Sequence, residues 1–130
     1  MKILIVDDSR FFRLANERAL TKAGHRVVCA GDGEEGLRMA REHKPDLIVL
    51  DMMLPILSGP SVLRELRKDL QTVSIPVMVL TSLPKANEGK LLRDGATAYF
   101  EKSDLMLDKG SEVLVEEVQR ILSQAGACPA

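Results

Sequence analysis

The chain has 130 residues, of which 45% are hydrophobic and 28% are charged, so we expect one soluble globular domain with a single core. Its 18 basic and 19 acidic side chains give a formal net charge of -1, which lacks the positive surplus that binds nucleic acid or an anionic membrane. The longest apolar run is far shorter than the roughly 20 residues of a membrane-spanning helix. We therefore expect a cytoplasmic protein that contacts neither nucleic acid nor membrane directly.

Five short runs rich in aliphatic residues predict β-strands that alternate with helical patterns. A strict alternation of this kind favours a parallel sheet with helices on both faces. The sequence therefore predicts an open α/β fold built on five parallel strands. The predicted strands are Lys2 to Val6, Arg26 to Ala30, Asp46 to Leu50, Val77 to Leu80 and Ala98 to Phe100.

Helix signals lie between the strands. Ser9 is a predicted N-cap, and Gly24 is suited to the left-handed residue that ends a helix. Phe11, Phe12 and Leu14 are expected to face the core. The helix predicted over Pro84 to Arg93 has a thin apolar stripe. The other predicted helices are Gly33 to His43, Ser58 to Leu70 with Val62, Leu63, Leu66 and Leu70 on one face, and Ser111 to Gln124.

The domain organisation is expected to be simple. Residues 1–125 are predicted to form the domain, and residues 126–130 a disordered tail. Cys29 and Cys128 have neither Cys-x-x-Cys spacing nor a histidine at metal-ligand spacing, so we expect no redox or metal role for them.

Polar side chains follow four of the predicted strands. Asp7 and Asp8 follow the first, Asp51 the third, Thr81 the fourth and Lys102 the fifth. The carboxyl ends of neighbouring parallel strands meet at one edge of the sheet, which is where open α/β proteins bind their ligands. Three carboxylates crowded into one crevice repel one another unless a cation lies between them. The sequence therefore predicts a divalent metal site.

Several motifs together resemble the receiver domain of two-component response regulators. They are Asp7-Asp8 after an aliphatic strand, the stretch from Asp51 through Pro55 to Gly59, Leu80-Thr81-Ser82, and Gly95-Ala96 leading to Tyr99-Phe-Glu-Lys102. The resemblance covers nearly the whole chain. It implies a flavodoxin-like, doubly wound fold with strand order 2-1-3-4-5, and transfer of a phosphoryl group to Asp51 from a sensor histidine kinase or a phosphotransfer protein.

The resemblance also implies a role for each site residue. Asp8 and Asp51 would bind Mg²⁺ directly, Asp7 through water, and Met53 through its backbone carbonyl. The choice of Mg²⁺ agrees with its preference for carboxylate oxygen. Lys102 and Thr81 would contact phosphoryl oxygens, and Thr81 and Tyr99 would form the conformational switch.

Partners are expected to be proteins. No DNA-binding motif follows the receiver pattern, so output would pass to an unknown protein target, as in single-domain chemotaxis or phosphorelay regulators. A phosphorylation-dependent homodimer is a further possibility. Kinase docking around Arg10, Phe11 and Leu14 is a family-level expectation, although the aromatic residues there are predicted to be core.

The sequence departs from the family pattern in two places. Ser103 follows Lys102, where the family usually has proline, often after a cis bond. Met53 and Leu83 are apolar residues two positions beyond Asp51 and Thr81, which predicts slow self-dephosphorylation. Beyond this Mg²⁺-dependent, autocatalysed chemistry on its own aspartate, we expect no enzymatic activity.

Two alternatives stay open. A receiver-like module that binds proteins without phosphorylation is suggested by Ser103. An aspartate-nucleophile phosphatase of the haloacid dehalogenase type would need a second acid two residues after its nucleophile. Met53 occupies that position, and a thioether cannot act as a general acid or base.

Overall fold

The computed structural model describes residues 1–52, 54, 56–81, 95–101 and 110–126. Within these residues, five parallel strands form one sheet in the order β2-β1-β3-β4-β5. The predicted fold class and strand order are therefore confirmed. The strands are β1 (Lys2–Val6), β2 (Arg26–Ala30), β3 (Leu47–Asp51), β4 (Val77–Thr81) and β5 (Ala98–Glu101).

Helices cover both faces of this sheet. The described helices are α1 (Arg10–Lys22), α2 (Gly33–His43), α3 (Gly59–Lys68) and α4 (Gly110–Gly126). One core cluster lies between the sheet and the pair α2 and α3, and a second lies between the sheet and the pair α1 and α4. None of the helices in the described ranges is long and apolar enough to cross a membrane. The helix predicted over Pro84 to Arg93 and residues 127–130 lie outside the described residues. The predicted tail began at Gly126, but this residue is the last of α4.

The central strands are buried on both faces. Leu4 and Ile48 belong to the cluster under α2 and α3, whereas Ile5 and Val49 belong to the cluster under α1 and α4. Strands buried in this way need apolar side chains at every position, which explains their continuous aliphatic sequences. The ends of β1 and β3 are consequently held by a packed core on either side.

Local capping signals define the starts of two helices. The Ser9 hydroxyl oxygen accepts a hydrogen bond from the Phe12 amide at 3.3 Å, and the Asp32 carboxylate accepts one from the Glu35 amide at 2.8 Å. Gly24, just beyond α1, has a φ of +98°, a left-handed conformation that glycine adopts without a steric penalty. The predicted beginning and end of α1 are confirmed.

The predicted inner face of α1 is wrong for Phe11 and Leu14. Phe11 is 78% exposed and Leu14 is also exposed, while Phe12, Asn16 and Leu20 are buried. The buried stripe follows an interval of four residues, and successive residues point about 100° apart around a helix. Phe11 therefore points to solvent, although the adjacent Phe12 is in the core.

The third helix is shorter than predicted. It ends at Lys68, Asp69 is extended, and Leu70 is 92% exposed instead of lying on the apolar face. The Asp69 carboxylate accepts hydrogen bonds from the Gln71 amide at 2.9 Å and from the Arg41 side chain at 2.7 Å. These bonds stabilise a turn that competes with another helical turn.

The start of β3 also differs from the prediction. Its residues are Leu47–Asp51, rather than Asp46 to Leu50. Asp46 lies just before the strand and exchanges hydrogen bonds with Lys2, whose backbone amide donates to the Asp46 carboxylate at 2.8 Å. Asp51 is consequently the last residue of the strand itself.

Arg67 joins the end of α3 to two separate loops. Its guanidinium donates hydrogen bonds to the carbonyl oxygens of Val73 (2.8 Å), Ile75 (2.7 Å) and Gly95 (2.8 and 2.9 Å). Burial lowers the pKa of Arg67 from its usual value. One side chain thus holds the loop before β4 and the turn before β5 together.

Candidate functional site

The register of the two central strands brings acidic residues side by side. Val6 in β1 pairs with Leu50 in β3, so the next residues, Asp7 and Asp51, lie at the same edge of the sheet. The Asp7 amide donates to the Ala30 carbonyl at 3.1 Å, so the backbone of Asp7 is held against the end of β2. Because β1 and β3 are paired neighbours, the spacing of the strands sets the distance between the backbones of Asp7 and Asp51.

The carboxylates of Asp7, Asp8 and Asp51 form a compact cluster. Each offers one oxygen, and the three oxygens lie within 4.8 Å of one another. Asp7 and Asp51 are only 1% and 3% exposed, while Asp8 is exposed. The structure therefore brings together the three acids in which the sequence predicted a metal site, with Asp8 on the solvent side.

Asp7 is held by its surroundings at several points. Its carboxylate accepts a hydrogen bond from the Ser9 amide at 2.8 Å, and its backbone carbonyl accepts one from the Arg13 guanidinium at 2.6 Å. The helix α1 begins at Arg10, so the positive end of its dipole lies next to the acids. These contacts hold the backbone and the carboxylate of Asp7 in place at the end of β1.

The loop after Asp51 is packed tightly against the end of β3. The Gly59 amide donates to the Met52 carbonyl at 3.2 Å, and a Cβ added to Gly59 would lie 2.5 Å from the Asp51 carbonyl oxygen. Glycine is required where a helix starts this close to another backbone segment. Ile56, in the same loop, is 74% exposed and has a φ of +69°.

The other predicted site residues are placed only in part. Thr81 is the last residue of β4 and pairs with Glu101, and its predecessor Leu80 pairs with Asp51. Tyr99 lies in β5 opposite Val79. The backbones of Thr81 and Tyr99 thus occupy the strands on which their roles were predicted. Met53, Pro55, Leu83, Lys102 and Ser103 lie outside the described residues.

The donor set fits a hard divalent cation. Three carboxylate oxygens repel one another at these separations, and a cation that takes oxygen ligands turns this repulsion into attraction. Mg²⁺ is commonly held by one or two carboxylates and keeps several water ligands. A cluster with two buried acids and one exposed acid supplies carboxylates and access to water together.

Cys29 is unsuited to nucleophilic or redox chemistry at neutral pH. Burial and the nearby Glu17 carboxylate raise the pKa of the Cys29 thiol to about 11, and its sulfur lies 3.8 Å from a Glu17 oxygen. The thiolate is the reactive form, so this thiol stays protonated in the pH range where most proteins work.

Sequence reasoning missed the contact that Arg13 makes with the acidic turn. An arginine on an amphipathic helix is usually a solvated surface residue, whereas Arg13 donates to a backbone carbonyl six residues earlier. Gly31, which follows β2, leaves room for this side chain, because its added Cβ would lie 3.0 Å from the Arg13 guanidinium. That proximity is visible only in three dimensions.

A family model described as the response regulator receiver domain matches residues 3–107. The chain belongs to this family. Receiver domains are phospho-acceptor switches of two-component signalling and are phosphorylated by histidine kinases or phosphotransfer proteins. They act as signalling switches rather than as conventional enzymes.

Relatives of this receiver domain differ in how much of their length it matches. Protein PilH of Pseudomonas aeruginosa is 38% identical over 78% of this chain and 84% of its own. The transcriptional regulatory protein AfsQ1 of Streptomyces coelicolor is 45% identical over 62% of this chain, but the match spans only 34% of AfsQ1. The receiver domain of a Francisella response regulator superposes with a TM-score of 0.84 at 28% identity, over 95% of this chain and 97% of its own.

Proposed function

We propose that this receiver domain accepts a phosphoryl group on Asp51 and that Mg²⁺, held by Asp7, Asp8 and Asp51, is required for the transfer. The observation that carries the proposal is the cluster of three carboxylate oxygens within 4.8 Å of one another at the ends of β1 and β3. Family membership supports the same reaction. Asp51 is the central acid by position, because its strand lies between β1 and β4.

Asp51 would act as the nucleophile. An oxygen of its carboxylate attacks phosphorus, and the bond between phosphorus and the donor breaks as the new bond forms. Two anions must approach for this reaction to occur, and a bound divalent cation supplies the charge that makes the approach favourable. Because Asp51 is nearly buried while Asp8 is exposed, the donor would approach from the Asp8 side.

Three residues complete the proposed site through the family resemblance. Met53 would contribute its backbone carbonyl to the cation, and Lys102 and Thr81 would donate hydrogen bonds to phosphoryl oxygens. Such donors stabilise the transition state most when they are fixed in advance. Thr81 ends the strand next to Asp51, which suits this role.

The phosphoryl donor is proposed to be a phosphohistidine on a sensor kinase or a phosphotransfer protein. The exposed side chains of Phe11 and Leu14, with the nearby Arg10, offer an apolar and basic contact surface on α1. This helix starts two residues after Asp8, so a protein docked there would lie close to the acids.

Phosphorylation would act as a switch by adding about two negative charges and three strong acceptors at the sheet edge. Thr81 and Tyr99 would shift in response, and the face near β5 and α4 would change its affinity for a target protein or for a second copy of the chain.

Met53 and Leu83 would keep self-dephosphorylation slow by limiting polar contacts to water. Independent action as a single domain over residues 1–125, disorder of residues 127–130 and a cytoplasmic location stay predictions from the sequence.

Labelling with acetyl phosphate tests this function. The protein is incubated with acetyl phosphate and Mg²⁺, and its intact mass is followed with time. We expect one added phosphoryl group in the wild type, none in Asp51→Asn, and none in the wild type with excess EDTA. Asp104→Asn is a matched control for the change of charge, and it should label like the wild type.

The alternatives give different results in the same assay. A phosphatase would release inorganic phosphate continuously without accumulating label. A binding module that works without phosphorylation would neither gain mass nor release phosphate. Unchanged labelling of Asp51→Asn would contradict the proposed acceptor.

A further inference from the structure

Arg13 makes a short contact to the acidic turn formed by Asp7 and Asp8. Its guanidinium donates a hydrogen bond of 2.6 Å to the backbone carbonyl oxygen of Asp7. Hydrogen bonds from a charged donor are stronger than neutral ones, and a short distance is typical of them. This bond is partly buried, so water competes with it only weakly.

The bonded carbonyl lies between the two acids of the turn. It belongs to the peptide group that links Asp7 to Asp8, and a peptide group is planar. Holding its oxygen therefore restricts the backbone on both sides, that of Asp7 and that of Asp8. The Ser9 amide, which donates to the Asp7 carboxylate at 2.8 Å, limits the same turn from its other end.

Space for Arg13 is provided by a residue in a different loop. An added Cβ on Gly31 would lie 3.0 Å from the terminal nitrogen of Arg13 and 3.8 Å from its central guanidinium carbon. A larger side chain at position 31 would displace the guanidinium. Gly31 follows β2, so the contact connects α1, the end of β1 and the end of β2.

We infer that Arg13 is a positioning residue that preorganises Asp7 and Asp8 for the divalent cation. The inference rests on the proposed function, since it assumes that this pocket binds the cation. Arg13 binds a backbone carbonyl, so it acts on the acids through the peptide between them. When partners that orient metal ligands in this indirect way are removed, metal affinity typically falls about 10- to 100-fold.

Charge alone predicts the opposite result. A guanidinium close to the pocket repels a divalent cation, so its removal would tighten metal binding if only Coulomb interactions mattered. Positioning predicts weaker binding after removal. The sign of the change in affinity therefore separates the two effects.

The test measures Mn²⁺ binding by electron paramagnetic resonance and Mg²⁺ binding by calorimetry. We expect Arg13→Gln to bind either ion about 10-fold more weakly than the wild type. Arg13→Lys should recover part of the affinity, because an ammonium group can also donate to the carbonyl. Arg18→Gln is the matched control, since Arg18 is exposed on the same helix and its substitution makes the same change in net charge.

A second pair of variants tests the same contact without removing the guanidinium. Gly31→Val should weaken metal binding by displacing Arg13, and Gly31→Ala should have a smaller effect. At saturating Mg²⁺ the labelling rate of Arg13→Gln with acetyl phosphate should approach that of the wild type, while the Mg²⁺ concentration for half the maximal rate rises. Should Arg13→Gln fail to fold, the comparison of the two Gly31 variants decides.

Two failures are distinguishable. If Arg13→Gln binds Mn²⁺ as tightly as Arg18→Gln, or more tightly, the positioning role is overturned while the metal site stands. If the wild type binds neither ion, the proposed function itself fails.

Discussion

Gly33, the first residue of α2, lies directly against the backbone carbonyl of Leu57. A Cβ added to Gly33 would be 1.9 Å from the Leu57 oxygen and 2.8 Å from a methyl group of Val62. Neither distance is possible for real atoms, so any side chain at position 33 must push the two segments apart. The loop that follows Asp51 therefore rests on the start of α2.

Gly33→Ala should destabilise the protein and disturb this loop. Overpacking of a tight contact typically lowers the free energy of unfolding by about 1–3 kcal/mol. Urea unfolding followed by circular dichroism measures this change, and labelling with acetyl phosphate should be slower because the loop adjoins Asp51. Glu34→Ala, at the exposed next position, serves as a control. Equal stability of the two variants would show that the contact relaxes without a penalty.

Ile56→Asn should stabilise the protein. Ile56 has a φ of +69°, a left-handed conformation that disfavours side chains branched at Cβ by about 1–2 kcal/mol, whereas asparagine tolerates it. Since Ile56 is largely exposed, little apolar burial is lost. We expect the free energy of unfolding to rise by about 1 kcal/mol.

Leu70→Asn is the matched control for Ile56→Asn. Leu70 is even more exposed and is not among the described residues with positive φ. A surface substitution of this kind usually changes stability by less than about 0.5 kcal/mol. If both variants gain the same stability, polarity rather than backbone strain explains the result.

Phe11→Ala should impair phosphotransfer from a protein donor but not from acetyl phosphate. The exposed ring contributes nothing to the core, and aromatic residues often dominate protein interfaces. We expect transfer from the cognate kinase or phosphotransfer protein to slow by about 10-fold, the effect of losing about 1.4 kcal/mol of binding. Leu70→Ala, at the other end of the sheet, should leave both reactions unchanged. An equal loss with both donors would point to damage within the site instead of a docking surface.

The protein should lose the stability that Asp69 contributes when the pH becomes acidic. The hydrogen bonds from the Gln71 amide and from Arg41 lower the pKa of the Asp69 carboxyl below its usual value of 3.8. The ionised form is favoured in the folded state, so its stabilising effect is fully present above the unfolded pKa and disappears as the pH falls through the folded pKa. Urea unfolding of the wild type and Asp69→Asn should therefore differ at pH 7, and the difference should disappear once the pH is below the lowered folded pKa of Asp69. A difference that persists unchanged in acid would exclude ionisation as its cause.

The strands were predictable because their signals are local and repeated, whereas their order came from the resemblance to receiver domains. Continuous aliphatic runs, separated by helical patterns, allow few arrangements other than a parallel sheet covered on both faces. The convergence of Asp7, Asp8 and Asp51 follows from the same logic, since residues that end neighbouring parallel strands must meet at one edge.

The errors have tertiary causes. Phe11 and Phe12 are adjacent and chemically alike, so only the packing of α1 against the sheet decides which one is buried. The end of α3 depends on Arg41, which lies 28 residues before its partner Asp69. The contact of Arg13 with Asp7 uses the room that Gly31 leaves by having no side chain. No local pattern around these residues shows which side chain is buried or which contact it makes.

The pairing of Val6 with Leu50 restricts how the chain can change in length. Insertions or deletions in an exposed loop are absorbed where they occur. One residue added within β1 or β3 would exchange the two faces of that strand and also carry its terminal acid past the other. Two short strands that are far apart in the sequence must therefore keep their lengths matched, while the exposed loops between them can change in length.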